Sequence, residues 1–184
     1  LRKHKVTLVE KENERGGLLR YASVPDFKDE LRRFLQYLKI QVKKSGVEVL
    51  LGREATLDLV RGLKPDAVVL AAGSTMPVPE IPGGRKPFVS TALDLLAGKF
   101  QPGDHVLVAG GAAMGCEIAV HLATRGKKVT VVEMLNGLAL DLESRSRVAL
   151  LQLLKERGVS TLLNWRLERI EEGRALLSGG GGNH

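Results

Sequence analysis

Gly110, Ala112 and Gly115 stand at the spacing of a phosphate-binding turn in the run VLVAGGAAMGCE, residues 106–117. A dinucleotide pyrophosphate needs a strand ending in a tight turn, backbone close enough to touch the phosphates, and a helix whose first amides face the charge. Gly110 and Gly115 supply the first and third required glycines, Ala112 replaces the middle one, and Gly111 and Ala113 complete the turn. A methyl group at the middle position costs some close approach, and it is strained if that position needs a positive φ. Weakened rather than abolished binding is expected. Glu133 follows about 20 residues later at the end of the next apolar run, where an acid accepts hydrogen bonds from an adenosine ribose and repels a 2′-phosphate. No basic residue occurs in EMLNGL (133–138), which favours NAD(H) over NADP(H), while Arg125, Lys127 and Lys128 keep the second cofactor open.

The elements that must position this turn are legible as an alternating series. HVLVA (105–109), KVTVVE (128–133) and STLLN (160–164) read as strands, with helices over 112–125 and 143–157 between them, and an alternating RLERIEE segment follows. Such a β-α-β-α-β order predicts a parallel sheet with helices on both faces. Upstream, KVTLV (5–9) is a β-branched strand with a polar exit loop. Phe27, Leu31, Phe34, Leu35, Leu38 and Val42 recur at helical spacing between Pro25 and Lys44. VEVLL (47–51) reads as a strand, Leu57 to Leu63 and Thr91 to Leu96 as short helices, and the all-apolar DAVVLAAG (66–73) as a central strand needing cover on both faces. HKVTLVEK (4–11) repeats as KKVTVVEM (127–134), so the halves are copies of one kind of unit. Pro77, Pro79, Pro82, Gly83, Gly84 and Pro87 mark a boundary. The expected organisation is a unit over 1–76, a linker with a short helix over 77–103, a second unit over 104–178, and a glycine-rich tail over 179–184.

Charge and composition narrow the function classes. The formal net charge is +7, but the basic residues are scattered among acids and no nucleic-acid motif accompanies them, so the positive balance suits an anionic nucleotide better than a nucleic acid. No apolar run approaches the roughly 20 residues that cross a bilayer. The single cysteine, Cys116, rules out an intrachain disulfide and any CxxC dithiol chemistry within this chain; it reads as a packing residue, and with no apolar leader a reducing cytoplasm is expected. His4, His105 and His121 read as surface or helix-face residues, since nothing pairs them with a nucleophile or gives metal-ligand spacing. Neither catalytic nor metal-ligating side chains are identified.

The runs VTLVEKENERGGLL, DAVVLAAGS, PEIPGG, STALDLLAGK and VLVAGGAAMGCEIAVHLATRGKKVTVVEM resemble, in that order, the C-terminal FAD- and NAD(P)-binding region of the 2,4-dienoyl-CoA reductase and trimethylamine dehydrogenase family. These are NADH:flavin oxidoreductases within the pyridine nucleotide-disulfide oxidoreductase superfamily. The resemblance implies an α/β fold of two nested Rossmann-like dinucleotide-binding domains. It also implies a flavoprotein in which NAD(P)H passes hydride to FAD, with FMN and an iron-sulfur cluster held in a separate barrel. Glu10 and Lys11 then resemble ligands of the FAD adenosine ribose, Gly16 and Gly17 a flavin-side turn, and Ala55 a backbone adenine contact. Ala72 and Gly73 resemble the strand end near FAD, with Ala72 in place of the usual threonine. Gly110, Gly111, Ala112, Ala113, Gly115 and Glu133 correspond to the NAD(P) fingerprint.

Departures from the family pattern bound the expectation. The first strand and GxGxxG turn of the FAD half do not precede Leu1, the closing strand of the NAD(P) half is not evident after RALL, and the barrel has no counterpart. The chain is therefore expected to be part of a larger enzyme, inactive alone, with a dinucleotide and the parent's flavin barrel as partners, and with paired or swapped copies open because of an exposed sheet edge. A catalytically silent module that binds ADP or NAD, or serves only interdomain contacts, stays open as the alternative.

Overall fold

The computed structural model describes residues 4–76, 78 and 80–180, together with the backbone of 182 and 183. Pro77 and Pro79 of the expected boundary, and Gly181 and His184 of the tail, lie outside the described residues. The chain forms two compact units, Leu1–Thr75 and Met76–His184.

In the first unit, β1 (Thr7–Val9) pairs in parallel with β2 (Glu48–Leu50), Leu8 lying opposite Val49. Between them run α1 (Gly17–Ala22), a 3-10 turn (Asp26–Lys28) and α2 (Asp29–Lys44), and α3 (Leu57–Leu63) follows β2. Acids open α2 (Asp29, Glu30) and lysines close it (Lys43, Lys44), both complementing the helix dipole. The corner between α1 and α2 is tied by Arg32, whose guanidinium donates to the carbonyls of Ser23 at 2.9 Å and Pro25 at 3.0 Å. α1 itself was not anticipated, because its short run GLLRYA follows directly on a polar glycine turn.

The expected central strand over 66–73 does not form. Among the described residues this segment belongs to no sheet, and Val69 and Leu70 are 87% and 90% exposed. An apolar run signals a strand's need for cover, but a strand exists only where a neighbour takes its N–H and C=O groups. Among the described residues the sheet of this unit has two strands, and neither pairs with 66–73.

The second unit carries the parallel sheet in the order β3 (His105–Ala109), β4 (Lys128–Glu133), β5 (Ser160–Leu163). Helix α4 (Ala92–Leu96) is capped by the Thr91 hydroxyl, α5 (Ala113–Thr124) joins β3 to β4, and α6 (Ser144–Glu156) joins β4 to β5. α5 packs on both β3 and β4 and against α6. The core gathers there: Cys116, Ala119, Val120 and Leu122 from α5, Val129 and Val131 from β4, Leu150 and Leu154 from α6. The alternating segment and the expected tail form instead an antiparallel sheet of β6 (Trp165–Glu171), β7 (Arg174–Gly179) and β8 (Gly182–Asn183). The glycine composition hid it. A backbone ladder forms wherever geometry allows, and the turn at Glu172 and Gly173 returns the chain at the right distance. The linker is anchored on this sheet, where the Ile170 N–H donates to the Pro82 carbonyl at 2.8 Å.

Close approach of α5 to β3 is possible only because residue 115 has no side chain. A Cβ there would lie 1.9 Å from the Gly110 carbonyl oxygen, a backbone atom that cannot swing away. One residue on, Cys116 is fully buried; its thiol donates to the Gly111 carbonyl at 3.2 Å, and burial pushes its pKa up to about 11.

Two outcomes follow from this packing. Gly115→Ala should lower unfolding free energy by about 1–3 kcal/mol, the usual cost of overpacking, measured by urea denaturation; a change inside 0.5 kcal/mol, within ordinary surface noise, would contradict the close contact. For Cys116, the folded thiol ionises above its ordinary value of 9.0. It therefore contributes stability that is present below pH 9 and lost as pH rises toward 11, by up to roughly 2–3 kcal/mol. Urea midpoints at pH 8 and 10.5 should diverge more in the parent chain than in Cys116→Ala.

Candidate functional site

The candidate site lies at the carboxyl ends of β3 and β4, where open parallel sheets place their ligands. The chain leaves β3 through Gly110, whose N–H still donates to the Val132 carbonyl at 2.9 Å and whose φ of 106° suits glycine. Gly111 is buried against Glu133 and Leu138; a Cβ there would lie 2.4 Å from Leu138 Cδ2 and 2.9 Å from Glu133 Cβ. Ala112 is the N-cap of α5, with φ −65° and ψ 174°. This is ordinary extended backbone that any residue adopts, so the alanine is unstrained, and the residue is exposed. The middle position of the fingerprint thus loses only the room of one methyl group.

Glu133 ends β4 and is 9% exposed. Its Oε2 accepts from the Gly111 N–H at 2.6 Å, and its Oε1 accepts from the Leu135 N–H at 2.8 Å. The acid is thus a fixed part of the turn. Each carboxylate oxygen has two lone pairs, so one remains on each for a further donor.

Sequence reasoning missed the segment that follows. Residues 134–142 fold back on the turn: the Ala139 N–H donates to the Gly111 carbonyl at 2.7 Å, and Leu138 and Ala139 are buried. Ala139 takes a left-handed φ of 49° there. Arg147 on α6 secures the fold by donating from Nε to the Leu138 carbonyl at 2.8 Å. Asp141 then places Oδ1 2.9 Å from the Ala113 N–H, in the first turn of α5. One acid in a loop carries no sequence signal that separates it from a solvated one.

In the first unit the structure brings Glu10 and the start of the 52–55 segment together at the ends of β1 and β2. The Glu10 N–H donates to the Leu50 carbonyl at 2.9 Å, and the Glu10 carbonyl accepts from Arg53 N–H at 3.0 Å. Lys11 and Ala55 are exposed beside them. Glu10 Oε1 accepts from the Glu12 N–H at 3.0 Å, the same two-residue step that Glu133 makes to Leu135. The sequence repeat is therefore a repeat of geometry. Gly16 caps α1 with φ 120°, close to Leu35, and Gly17 opens that helix. Ala72 and Gly73 are exposed and outside any sheet, and the structure brings neither to the ends of β1 and β2 through a strand.

The histidines do not join either cluster. His4 and His105 are exposed, as expected. His121 lies on a helix, α5, but on its buried side; its Nδ1 is 2.6 Å from Arg125 Nη1, which makes that nitrogen the acceptor. Among the described residues no cluster of three metal-binding side chains occurs, and no helix is long and apolar enough to cross a membrane.

The sequence model of the pyridine nucleotide-disulphide oxidoreductases matches residues 2–182. An NADH oxidase of Thermoanaerobacter brockii is 41% identical over 163 residues, covering 86% of this chain and 25% of that protein. A bilirubin reductase of Mediterraneibacter gnavus is 36% identical over 167 residues, covering 91% of this chain and 26% of that protein. The structure of a 2-naphthoyl-CoA reductase complex superposes with a TM-score of 0.94 at 28% identity, covering all of this chain and 28% of that one. The chain thus spans about a quarter of the length of these relatives. The glycine turn on a parallel sheet, the repeated strand-end acids and the near-complete family match agree: the chain belongs to the pyridine nucleotide-disulphide oxidoreductase family.

Proposed function

We propose that this chain is the nucleotide-binding part of a flavin-dependent NAD(P)H oxidoreductase, and that the Gly110–Gly115 turn docks the nicotinamide cofactor. The observation that carries the reading is the first turn of α5. It follows a parallel strand directly, its cap residue is exposed and unstrained, and its amides lack intrahelical acceptors as in any helix start. The residues present fit a pyrophosphate there. Gly110 and Gly115 bring strand and helix together, Ala112 faces outward, and Glu133 is held rigid where the adenosine ribose belongs. A buried, fixed carboxylate favours NADH, because a 2′-phosphate would meet a like charge it cannot push aside.

In the first unit Glu10, Lys11 and Ala55 are the proposed adenosine-side contacts of FAD, with Gly16 and Gly17 as the flavin-side turn and with Ala72 and Gly73, which end no strand here, as proposed contacts near it. The bound cofactors supply the hydride transfer from nicotinamide to flavin. The residues of this chain bind and orient; none is asked to move a proton. FMN and an iron-sulfur cluster are assigned to the parent protein's barrel, and a copy-to-copy association is compatible with the open sheet edges. A second reading, nucleotide binding without electron transfer, draws support from Ala72 and Gly73, which stand outside any sheet.

Titration of the chain with NADH and NADPH by calorimetry tests the reading. Saturable NADH binding is expected, with NADPH at least about tenfold weaker, the order of one misplaced charge. Ala112→Asp separates binding from folding. Aspartate is a good N-cap and should leave stability unchanged or raised by about 1 kcal/mol, yet its charge occupies the phosphate position and should weaken NADH by about tenfold or more. Equal NADH affinity in both proteins would place the cofactor elsewhere. A flavin absorption spectrum in purified chain would exclude the second reading's simplest form, a module without flavin.

A further inference from the structure

The seat proposed for the pyrophosphate already holds an anion that belongs to the chain. Asp141 Oδ1 accepts from the Ala113 N–H at 2.9 Å, and Ala113 is the first residue of α5.

We propose that Asp141 is a built-in competitor for the cofactor's pyrophosphate: it holds the first turn of α5 ready in the free protein and must leave that amide when a dinucleotide binds. This rests on the docking reading above and adds the residue that sets the affinity of that site. The neighbouring acids differ in kind. Glu133 is buried and bonded at both oxygens, so it stays. Glu143 accepts from the Arg145 and Ser146 N–H groups and caps its own helix, α6. Asp141 alone among these three reaches α5, and it is exposed, so its side chain can turn into water at little cost.

The backbone on which Asp141 sits does not need to move. Ala139 is tied to Gly111, and Leu138 is held by Arg147 and buried. This anchoring delivers the carboxylate to the helix start and leaves only its side-chain torsions free. Two anions cannot share one N–H, and an occupied seat lowers the apparent affinity in proportion to the fraction of molecules in which it is free. Asp141 is therefore a positioning residue with two opposite effects, stabilising the free turn and opposing its ligand.

The test is a paired measurement on the 184-residue chain and its Asp141→Asn variant, which keeps size and a weaker acceptor but removes the charge. NADH should bind the variant about three- to tenfold more tightly, the effect of removing one like charge near the phosphates, while the thermal midpoint of the ligand-free protein falls. A purely structural residue would move both quantities in the same unfavourable direction. Unchanged or weaker NADH binding by the variant, with the parent binding normally, overturns the competitor role and leaves the docking reading standing. No NADH binding by either protein overturns both. Should Asp141→Asn fail to fold, Asp141→Ser provides the same comparison. In the parent chain, a large NADH-induced shift of the Ala113 amide resonance supports exchange of its acceptor, and an unmoved resonance in the saturated complex contradicts it.

Discussion

The second unit depends on the contact between residue 115 and the Gly110 carbonyl. A helix can rise from the end of β3 and lie across β3 and β4 only if its first turn passes within van der Waals reach of the backbone oxygen of Gly110, the first residue after the strand, and no side chain fits into that space. Once α5 is set there, the rest is constrained. Cys116 and Val120 fall into the core, Gly111 is pressed against Glu133, and the first amides of the helix open at the carboxyl end of the sheet. The geometry that packs the helix also sets the direction of its first amides.

Glu133 shows how the same constraint fixes an electrostatic feature. Its two oxygens are held by amides from two different segments, one before α5 and one after β4. Burial of a carboxylate is costly unless such donors replace water. The acid therefore couples the glycine turn to the segment 134–142. Glu10, at the matching place of the first unit, makes only the local half of this arrangement to Glu12. The two copies of the repeat share a strand-end turn and differ in how much structure that turn holds together.

What was legible in the sequence followed from strong local signals. β4 shows an uninterrupted β-branched run and β3 a Val-rich apolar one, α3 has a threonine cap, and the spacing of Gly110, Ala112 and Gly115 places the turn without reference to tertiary contacts. The failures have a common cause. DAVVLAAG is as apolar as any strand here, but its state depends on a pairing partner, which an apolar pattern cannot supply. The antiparallel β6–β7–β8 sheet was obscured in the opposite way, because glycines weaken propensity while leaving the backbone free to pair. The return of 134–142 onto the turn was illegible for a third reason: it relies on Ala139 in a left-handed conformation, which composition disfavours and packing enforces.

That strained alanine bears on how the site is organised. A left-handed non-glycine residue costs on the order of 1 kcal/mol or more, and it persists only where its surroundings over-determine it. Around Ala139 they do: its N–H is bonded to Gly111, its side chain is fully buried, and Leu138 beside it is pinned by Arg147. The strain is thus held by contacts with the glycine turn itself. It follows that the turn and its covering segment form one mechanical piece, in which Glu133, Ala139 and Arg147 fix the backbone and the side chains of Ala112 and Asp141 are left exposed. The division explains why an alanine is acceptable at the middle of the fingerprint. Backbone geometry at that position is set by neighbours on both sides and not by the conformational freedom of the residue, so an exposed methyl group is accommodated without disturbing the turn.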